Sequence, residues 1–245
     1  MCIFSQSIEQ VSRTRIYARR NSQRQCLVYE MHLVSTQDQA MVLPLPIAAG
    51  DLDAVEFVDL SAHATFFDLL DHCFPMPVNR GPVPASAGST LAVHRVGAFE
   101  ASFVPSRADF ARLDPRFRLD DAVWDRFPGY QGFGFAVFQL HAGDARVHPM
   151  ALWFRSRDPN RLFFPTTHVH DGEVHATADY DHRLYAQGGI EAADWLRGGI
   201  LPNEAFDPEL LESPAAHGLI DLSQPLLRRT LRGERPNADV WIDTL

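Results

Sequence analysis

Short apolar segments separated by turn residues make up most of this chain, and this succession constrains the fold more than any other feature. The clearest are residues 25–34, 133–140, 147–155 and 162–170, which are rich in residues that favour strands. They are not separated by the helices of about 10–15 residues that a parallel sheet with crossover connections needs. The sequence therefore predicts an α+β, β-rich fold with a mainly antiparallel sheet or sandwich and a few short helices.

The organisation along the chain favours a single domain over residues 1–245, because no internal repeat or low-complexity tract divides it. Residues 63–73 have the apolar spacing of one helix face, and residues 75–90 are rich in Pro, Gly and Ser, which predicts a flexible surface loop. The acidic segment 189–245 contains a helix-like stretch at 191–197. We expect this segment to wrap around the rest of the domain.

The charge of the chain argues against nucleic acid as a partner. Its formal net charge is −9 and its pI is about 5.6, whereas proteins that bind nucleic acid phosphates usually carry a basic excess. No segment approaches the roughly 20 apolar residues that span a bilayer, and the start MCIFSQSIEQ lacks the basic and apolar regions of a secretory signal. We therefore expect a cytoplasmic protein without a membrane partner.

All 22 basic residues are arginines, because the sequence contains no lysine. This composition excludes reactions that need a lysine amine, such as Schiff-base chemistry with pyridoxal phosphate and P-loop hydrolysis of nucleotides. Several arginines near the start could form a phosphate-binding patch or an organelle-targeting signal. The period-two alternation of residues 14–19 favours a half-solvated strand instead. The arginines of this group are Arg13, Arg15, Arg19, Arg20 and Arg24.

The most specific chemical feature is a predicted hairpin at residues 162–177 that presents several histidines. Asp171-Gly172 lies between two extended runs, and this dipeptide is the strongest short-range signal for a two-residue hairpin turn. In that register two histidines of the first strand face a glutamate and a histidine of the second, and all four side chains emerge on one side. They are His168, His170, Glu173 and His175, with His168 directly opposite His175.

Imidazoles on one face could share a divalent transition metal such as Zn, Fe, Ni or Cu. Imidazole nitrogens bind these ions at about 2.0–2.2 Å, and a site with three protein ligands leaves a position for water or substrate. Glu173 could be a further ligand or the general base for a metal-bound water. The expected metal ligands are His168, His170, His175 and, as a fourth, His182 or His148.

Two other interpretations of this face are open. A hairpin face of histidine and glutamate can simply be a solvated polar surface, and a one-residue bulge at the turn would change the register. The face could also bind a small-molecule ligand without any metal.

Cys2 is a second candidate for catalysis. If the initiator methionine is removed, Cys2 carries both a thiol and a free α-amine whose pKa is about 7.7–8.0. Such an amine can act as the base for its own side chain, as in N-terminal-nucleophile hydrolases. The start Cys2-Ile3-Phe4 lacks the glycine that usually follows the cysteine of class II glutamine amidotransferases. The competing interpretation is a small apolar residue that begins the first strand.

Several segments resemble those of a group of uncharacterised bacterial proteins. They are the start MCIFS, the element MVLPLP at 41–46, the run LFFPTTHVHDG at 162–172 and the run DHRLYAQ at 181–187. The element at 41–46 also resembles one in a larger family of unknown function. The resemblance covers residues 1 to about 190. It implies no activity and no catalytic residues.

These features lead to one leading hypothesis and two alternatives. The chain is predicted to be a metal-binding protein, and more specifically a metal-dependent hydrolase or oxidoreductase with a histidine cluster on a β-hairpin. The first alternative is a non-enzymatic binding or scaffold protein whose histidine face meets a partner. The second is an amidohydrolase that uses Cys2.

Overall fold

The computed structural model describes residues 2–21, 23–48, 50–75, 99–190, 193–201 and 218–244, and of Cys2 and Asp121 it describes the backbone alone. These residues form fourteen strands and two short α-helices. The first strands are β1 (Cys2–Phe4), β2 (Gln10–Arg20), β3 (Gln25–Ser35), β4 (Gln39–Leu45), β5 (Val55–Val58), β6 (Glu100–Val104) and β7 (Gly134–Leu140). The others are β8 (Gly143–Phe154), β9 (Arg161–Phe164), β10 (His168–Val169), β11 (Thr177–Gln187), β12 (Leu196–Ile200), β13 (Pro225–Pro236) and β14 (Val240–Asp243). The α-helices are α1 (Phe66–Asp71) and α2 (Asp121–Asp125), and 3₁₀ helices cover Ser61–His63, Arg107–Arg112, Pro115–Phe117 and Pro128–Tyr130.

Two large sheets hold most of these strands. The seven-stranded sheet has the order β12-β13-β11-β2-β3-β8-β5, and the five-stranded sheet has the order β10-β1-β4-β7-β6. A separate pair consists of β9 and β14. Most neighbours are antiparallel, but β11 pairs with β2 in parallel, and β1 pairs with β10 in parallel. The prediction of a β-rich fold with a few short helices is confirmed, and the two large sheets are mixed.

The seven-stranded sheet is buried on both faces, which explains why its central strands are almost continuously apolar. Successive side chains of a strand point to opposite faces. In β3, Leu27 and Tyr29 belong to the core shared with the five-stranded sheet. Cys26 and Val28, on the other face, pack in a second core that α1 covers with aromatic side chains. The strand β3 therefore supplies side chains to two cores.

One strand extends through a proline that the sequence suggests would end it. Residues 40–43 are predicted to continue the first sheet and to end before Pro44, but β4 runs through Pro44 and lies in the five-stranded sheet. At Pro44 the strand pairs with Phe135 of β7, whereas β1 pairs only with Met41 and Val42. At Pro44 the strand β4 is therefore paired on one side only. Because no strand pairs with it on the other side at this position, the N–H group that proline lacks is not needed there.

The three strongest strand candidates do not form one central sheet. Residues 133–140 correspond to β7 in the five-stranded sheet, and residues 147–155 correspond to β8 in the seven-stranded sheet. Residues 162–170 split into β9 and β10, which pair with β14 and β1 respectively. Apolar patterning identifies a buried strand, but it carries no information about which strand will be its neighbour.

The helix predicted within 63–73 is shorter than expected, and the helix-like stretch at 191–197 overlaps a strand. Within 63–73 only Phe66–Asp71 is α-helical, and Thr65 is its N-cap. The helix-like stretch 191–197 overlaps β12, which is a strand. The C-terminal segment also supplies β13, a twelve-residue strand next to β11 inside the large sheet. The C-terminal segment is therefore part of the seven-stranded sheet itself.

Residues 76–90 of the predicted flexible loop lie outside the described residues. In the part of the chain that is described, we find no helix with the length and apolar character needed to cross a membrane.

Candidate functional site

The strand β11 separates two sets of polar side chains onto opposite faces of the seven-stranded sheet. Tyr180 contributes to the core shared by the two large sheets, and the ring of His182 lies against it with a centroid separation of 5.1 Å. Asp181 and Arg183 face the other way and line a polar cavity. The period-two alternation of the strand dictates this separation. One face therefore carries a histidine cluster, and the other carries charged groups.

The histidine cluster consists of His168, His170 and His182, packed with the ring of Tyr180. His168 Nε2 lies 3.3 Å from His182 Nε2, a separation compatible with a hydrogen bond in which one neutral ring donates to the other. The His168 ring also packs against the rings of His170 and Tyr180, with centroid separations of 4.8 and 4.5 Å. The cluster is therefore a layer of packed rings.

Burial keeps the three imidazoles neutral. His168 and His182 are only 7% and 2% exposed. Desolvation lowers the pKa of His168 to about 2 and the pKa of His170 to about 4. The pKa of His182 lies well below its ordinary value, again chiefly because of burial. At neutral pH these rings can exchange hydrogen bonds or donate a lone pair, but they do not carry a charge.

The hairpin predicted at 162–177 forms its turn but not its strand pairing. Gly172 has a φ of 82°, and the Glu173 N–H donates to Asp171 Oδ1 at 3.0 Å, so a tight turn is present. The flanking segments pair elsewhere, β10 with β1 and β11 with β2 and β13. The local turn signal is correct, and the register derived from it is wrong.

The side chain of Asn237 takes the place of the missing hairpin partner. Its Nδ2 donates to the His168 carbonyl at 2.9 Å and to the His175 carbonyl at 3.0 Å. Its Oδ1 accepts the His168 N–H at 2.7 Å. One side chain thus satisfies backbone groups that an opposing strand would otherwise satisfy. Because Asn237 lies 69 residues after His168, no short-range pattern reveals this contact.

The predicted face of four side chains is therefore not assembled. The His175 ring is 55% exposed, and its Nε2 lies 2.8 Å from Asp171 Oδ2. Glu173 is exposed as well. His168 packs instead with His170 and with His182, which the sequence offered only as a fourth ligand. The roles of Glu173 as a base and of His175 as a ligand stay predictions, without the geometry that suggested them.

Asp239 holds the loop that precedes His168. Its Oδ1 accepts the Thr166 N–H at 2.8 Å, the Thr167 N–H at 3.0 Å and the Thr167 hydroxyl at 2.9 Å. The Tyr130 hydroxyl lies 2.7 Å from Oδ2. Burial raises the pKa of Asp239, and these hydrogen bonds oppose the rise. The C-terminal segment thus fixes the position of the histidine cluster.

The backbone of Cys2 lies beside the histidine cluster. In the parallel pairing of β1 with β10, Cys2 is the register partner of His168. The Phe4 ring lies 5.8 Å from the His170 ring, centroid to centroid. The first strand therefore packs along the cluster. Catalysis by Cys2 stays a prediction.

The described residues contain no group of three or more His, Cys, Asp or Glu side chains arranged to hold a metal ion. His148, the alternative fourth ligand, has other surroundings, because its ring stacks on Phe99 at a centroid separation of 4.4 Å. Within the histidine cluster, Nε2 of His170 is buried and has no hydrogen-bond partner among the described residues. Metal binding stays a prediction, and the best-placed pair for it is His168 with His182.

The opposite face of β11 lines a polar cavity of about 500 Å³ that sequence reasoning missed. We call it the arginine cavity, because four strands direct arginines into it. Of the N-terminal arginines, only Arg13 and Arg15 line the cavity. Arg19, Arg20 and Arg24 contact an acidic side chain or a carbonyl group elsewhere. The arginines of the cavity are Arg13, Arg15, Arg146, Arg183 and Arg232.

Comparisons with known proteins support the fold and no particular residue. A comparison of the sequence with family models finds no match, and a comparison with curated proteins finds none either. The resemblance to uncharacterised bacterial proteins therefore stays a prediction.

Solved structures, in contrast, include a similar fold in baculovirus P35. The crystal structure of P35 matches 96% of this chain and 97% of its own, with a TM-score of 0.56 and 13% identity. A mutated P35 after caspase cleavage matches over 96% and 98% of the two chains, with a TM-score of 0.47 and 12% identity. P35 in its complex with caspase-8 matches over 95% and 96%, with a TM-score of 0.47 and 12% identity. The chain thus has a fold similar to that of P35 along almost its whole length.

Proposed function

We propose that this chain is a non-enzymatic binding protein whose partner is a protease of the caspase class. The observation that carries the proposal is the similarity to the P35 fold over 96% of this chain and 97% of P35. Solved structures include P35 in a complex with caspase-8 and a mutated P35 after caspase cleavage. A non-enzymatic binding protein was one of the two alternatives that the sequence left open, although there the histidine face was expected to meet the partner.

The histidine cluster supports a binding protein over an enzyme. An active site needs a cleft in which substrate reaches the reacting groups. His168 and His182 are almost fully buried and are hydrogen-bonded to each other, with Tyr180 and His170 packed on the His168 ring. The cluster is explained by packing, because its rings pack on one another and join β10 to β11.

A rigid β-sheet framework suits a protein that is a partner and a substrate of a protease. Such frameworks hold surface segments in a fixed conformation, and preorganisation lowers the entropy lost on binding. A partner that is cut but remains bound occupies the protease and prevents its turnover of other substrates. The proposal therefore includes inhibition and not cleavage alone.

Addition of the purified chain to caspase-8 at an equimolar ratio should reduce hydrolysis of a fluorogenic peptide at least tenfold, because a retained complex removes active sites from turnover. Mass spectrometry should find one internal cut, and gel filtration should find chain and protease in one peak. The same protease with its active site blocked by a covalent inhibitor should give no cut.

Heat-denatured chain is the matched control, because it has the same sequence without the fold. It should be cut repeatedly and should inhibit only as an ordinary competing substrate. A native chain that is neither cut nor inhibitory, or that is cut with full turnover of the peptide, would contradict the proposal. Replacing by alanine the residue just before the mapped cut should abolish inhibition while leaving the melting temperature unchanged.

A second candidate function, metal binding, is favoured by one distance. Two nitrogens that each bind a tetrahedral ion at about 2.1 Å lie about 3.4 Å apart. His168 Nε2 and His182 Nε2 are 3.3 Å apart. The same two neutral rings could bind Zn, Ni or Cu after loss of the shared hydrogen bond.

Metal binding should raise the melting temperature, since an ion that binds only the folded chain stabilises it by mass action. Addition of Zn, Co, Ni or Cu to chelator-treated, tag-free protein should therefore raise the temperature by several degrees, and chelator should reverse the rise. His182→Leu should abolish the effect. His141→Gln, at a histidine that is 73% exposed, should not. A melting curve indifferent to these ions would exclude the metal candidate and leave the protease-binding proposal untouched.

A further inference from the structure

The inner part of the arginine cavity is a closed network of ion pairs. The Glu30 side chain is only 2% exposed, and it accepts hydrogen bonds from Arg15 Nε at 2.8 Å and from Arg146 at 2.7 Å. The same two arginines reach Asp68 of α1 at 2.7 and 3.1 Å. A buried carboxylate requires such partners. This part of the cavity is therefore explained by the docking of α1 on the sheet.

The outer part holds more positive charge than its carboxylates neutralise. Asp71 faces three guanidinium groups, with N–O distances of 3.0, 3.2 and 3.5 Å. Two further arginines, Arg13 and Arg232, line the cavity and form no ion pair with any residue that the structure describes. The carboxylates of cavity and network are Glu30, Asp68, Asp71 and Asp181. The arginines that line the cavity are Arg13, Arg15, Arg146, Arg183 and Arg232, and Arg228 reaches Asp71 without lining the cavity.

Five arginines and four carboxylates line the cavity, which leaves an excess of one positive charge in a protein whose net charge is −9. Placing like charges together is unfavourable unless an anion offsets them. The excess lies on the solvent side of the network, where Arg183 is 42% exposed. The electrostatic balance therefore points to a bound anion at the mouth of the cavity.

The backbone is interrupted at the same place. Arg13 has a φ of 53° and is the sole non-glycine residue with a positive φ among those that the structure describes. It lies in a bulge, because the register of β2 with β3 shifts between Ser12 and Arg15. The Arg13 N–H donates to Asp181 Oδ2 at 3.0 Å instead of to a strand. Bulges and left-handed residues of this kind cluster at functional sites.

A second bulge lies on the other side of β3 at the same level. The register of β3 with β8 shifts between Tyr29 and Met31, which bracket the buried Glu30. Both neighbours of β3 thus depart from regular pairing beside the cavity. The two bulges and the charge excess are independent observations that coincide at one site.

We propose that the arginine cavity is a binding site for a small organic phosphate, held by Arg13, Arg183 and Arg232. A phosphate monoester carries about −1.5 to −2 charges at pH 7 and has three strong acceptor oxygens, so it offers one oxygen to each of these arginines, whereas a carboxylate has only two. Guanidinium groups bind phosphate oxygens through paired N–H donors. A volume of about 500 Å³ also leaves room for the organic part. The proposal is independent of protease binding.

Phenyl phosphate is a suitable probe, with benzoate as the carboxylate control and chloride at equal ionic strength as the reference. Calorimetric titration should detect binding of phenyl phosphate and inorganic phosphate, at least tenfold tighter than benzoate, and phosphate should raise the melting temperature relative to chloride. Arg13→Asn and Arg232→Gln should each weaken binding of phenyl phosphate about tenfold.

The choice of variants separates binding from folding. Asparagine accepts the left-handed conformation more readily than arginine, so Arg13→Asn should be at least as stable as the parent protein. Arg112→Gln removes the same charge at a side chain that is 79% exposed, and it should change phosphate affinity less than twofold. Absence of binding heat at millimolar phosphate would overturn the proposal. So would an equal loss of affinity in R112Q, because it would reduce the effect to net charge, or equal binding of benzoate.

Discussion

Acidification of the metal-free protein from pH 7 to pH 5 should lower the free energy of unfolding by about 4 kcal/mol through His168 and His170, and His182 should lower it further. In the folded protein the pKa of His168 is about 2, that of His170 is about 4 and that of His182 is well below normal. In the unfolded chain each imidazole has a pKa of about 6.5. The unfolded chain therefore binds more protons below about pH 6.5. His168 and His170 each withdraw about 2 kcal/mol of stability by pH 5, and His182 acts in the same direction.

The direction of this pH dependence follows from the lowered pKa values of the histidines in the folded protein. The stabilisation by neutral histidines is complete above about pH 6.5 and is lost as the pH falls toward the folded values. Urea unfolding at pH 7, 6 and 5, followed by circular dichroism, measures the slope. Asp171, whose pKa is lowered chiefly by its hydrogen bond with His175, acts in the same direction but at more acidic pH.

Replacing two of the three imidazoles by apolar side chains tests the assignment. In His168→Leu/His182→Leu the slope between pH 7 and pH 5 should fall by at least half, whatever the change in stability at pH 7. His141→Gln, at a 73% exposed side chain, should leave the slope unchanged. If the double variant kept the full slope, the acid sensitivity would have another origin, and the neutral packed cluster would be the wrong account.

The strands of the large sheet could be predicted because their burial leaves a direct mark on the sequence. Residues 14–19 and 25–34 fall within β2 and β3, and the two strands pair in antiparallel register, as Tyr17 with Val28 illustrates. Their neighbours could not be predicted in the same way. In β4, Val42 pairs with Val137 of β7. A partner so distant in sequence is selected by packing of the whole core, which no local pattern encodes.

The histidine cluster was only partly predictable, for a related reason. His168 and His170 lie on one face because side chains alternate, and their packing together follows from the His-x-His spacing. His175 was assigned to them from the Asp-Gly turn, but Asn237 captures the backbone groups that would have paired the two strands. His182 joins the cluster through the parallel and antiparallel neighbours of β11. Long-range pairing thus decided which histidines meet.

The arginine cavity shows how a correct local interpretation can hide a site. The period-two alternation of residues 14–19 correctly predicts a strand, and by itself it argues against a phosphate-binding patch. The structure shows that Arg13 and Arg15 line a cavity from that very strand, together with arginines of three other strands. A strand can carry a binding site on one face, so its secondary structure does not decide between the two interpretations.

Asp239→Ala should lower the free energy of unfolding at pH 7 by about 3–4 kcal/mol, because it removes one acceptor that several buried donors share. The Thr166 and Thr167 N–H groups would lose their partner in a loop where both residues are at most 2% exposed. The Tyr130 hydroxyl, 2.7 Å from Asp239 Oδ2 in the parent protein, would also lose a contact. Urea unfolding at constant pH measures the change.

Asp243→Ala is the matched control, since it removes an exposed carboxylate from the adjacent strand β14 and should cost less than about 0.5 kcal/mol. The loss of stability in Asp239→Asn should lie between the losses in these two variants. An amide keeps one acceptor oxygen, but it presents N–H groups where the second carboxylate oxygen accepted hydrogen bonds. Amide hydrogen exchange should accelerate at Thr166 and Thr167 before it does in β3, since the lost hydrogen bonds hold this loop and not the central sheet. Equal stability of Asp239→Ala and Asp243→Ala would mean that the loop before His168 is held by Asn237 alone.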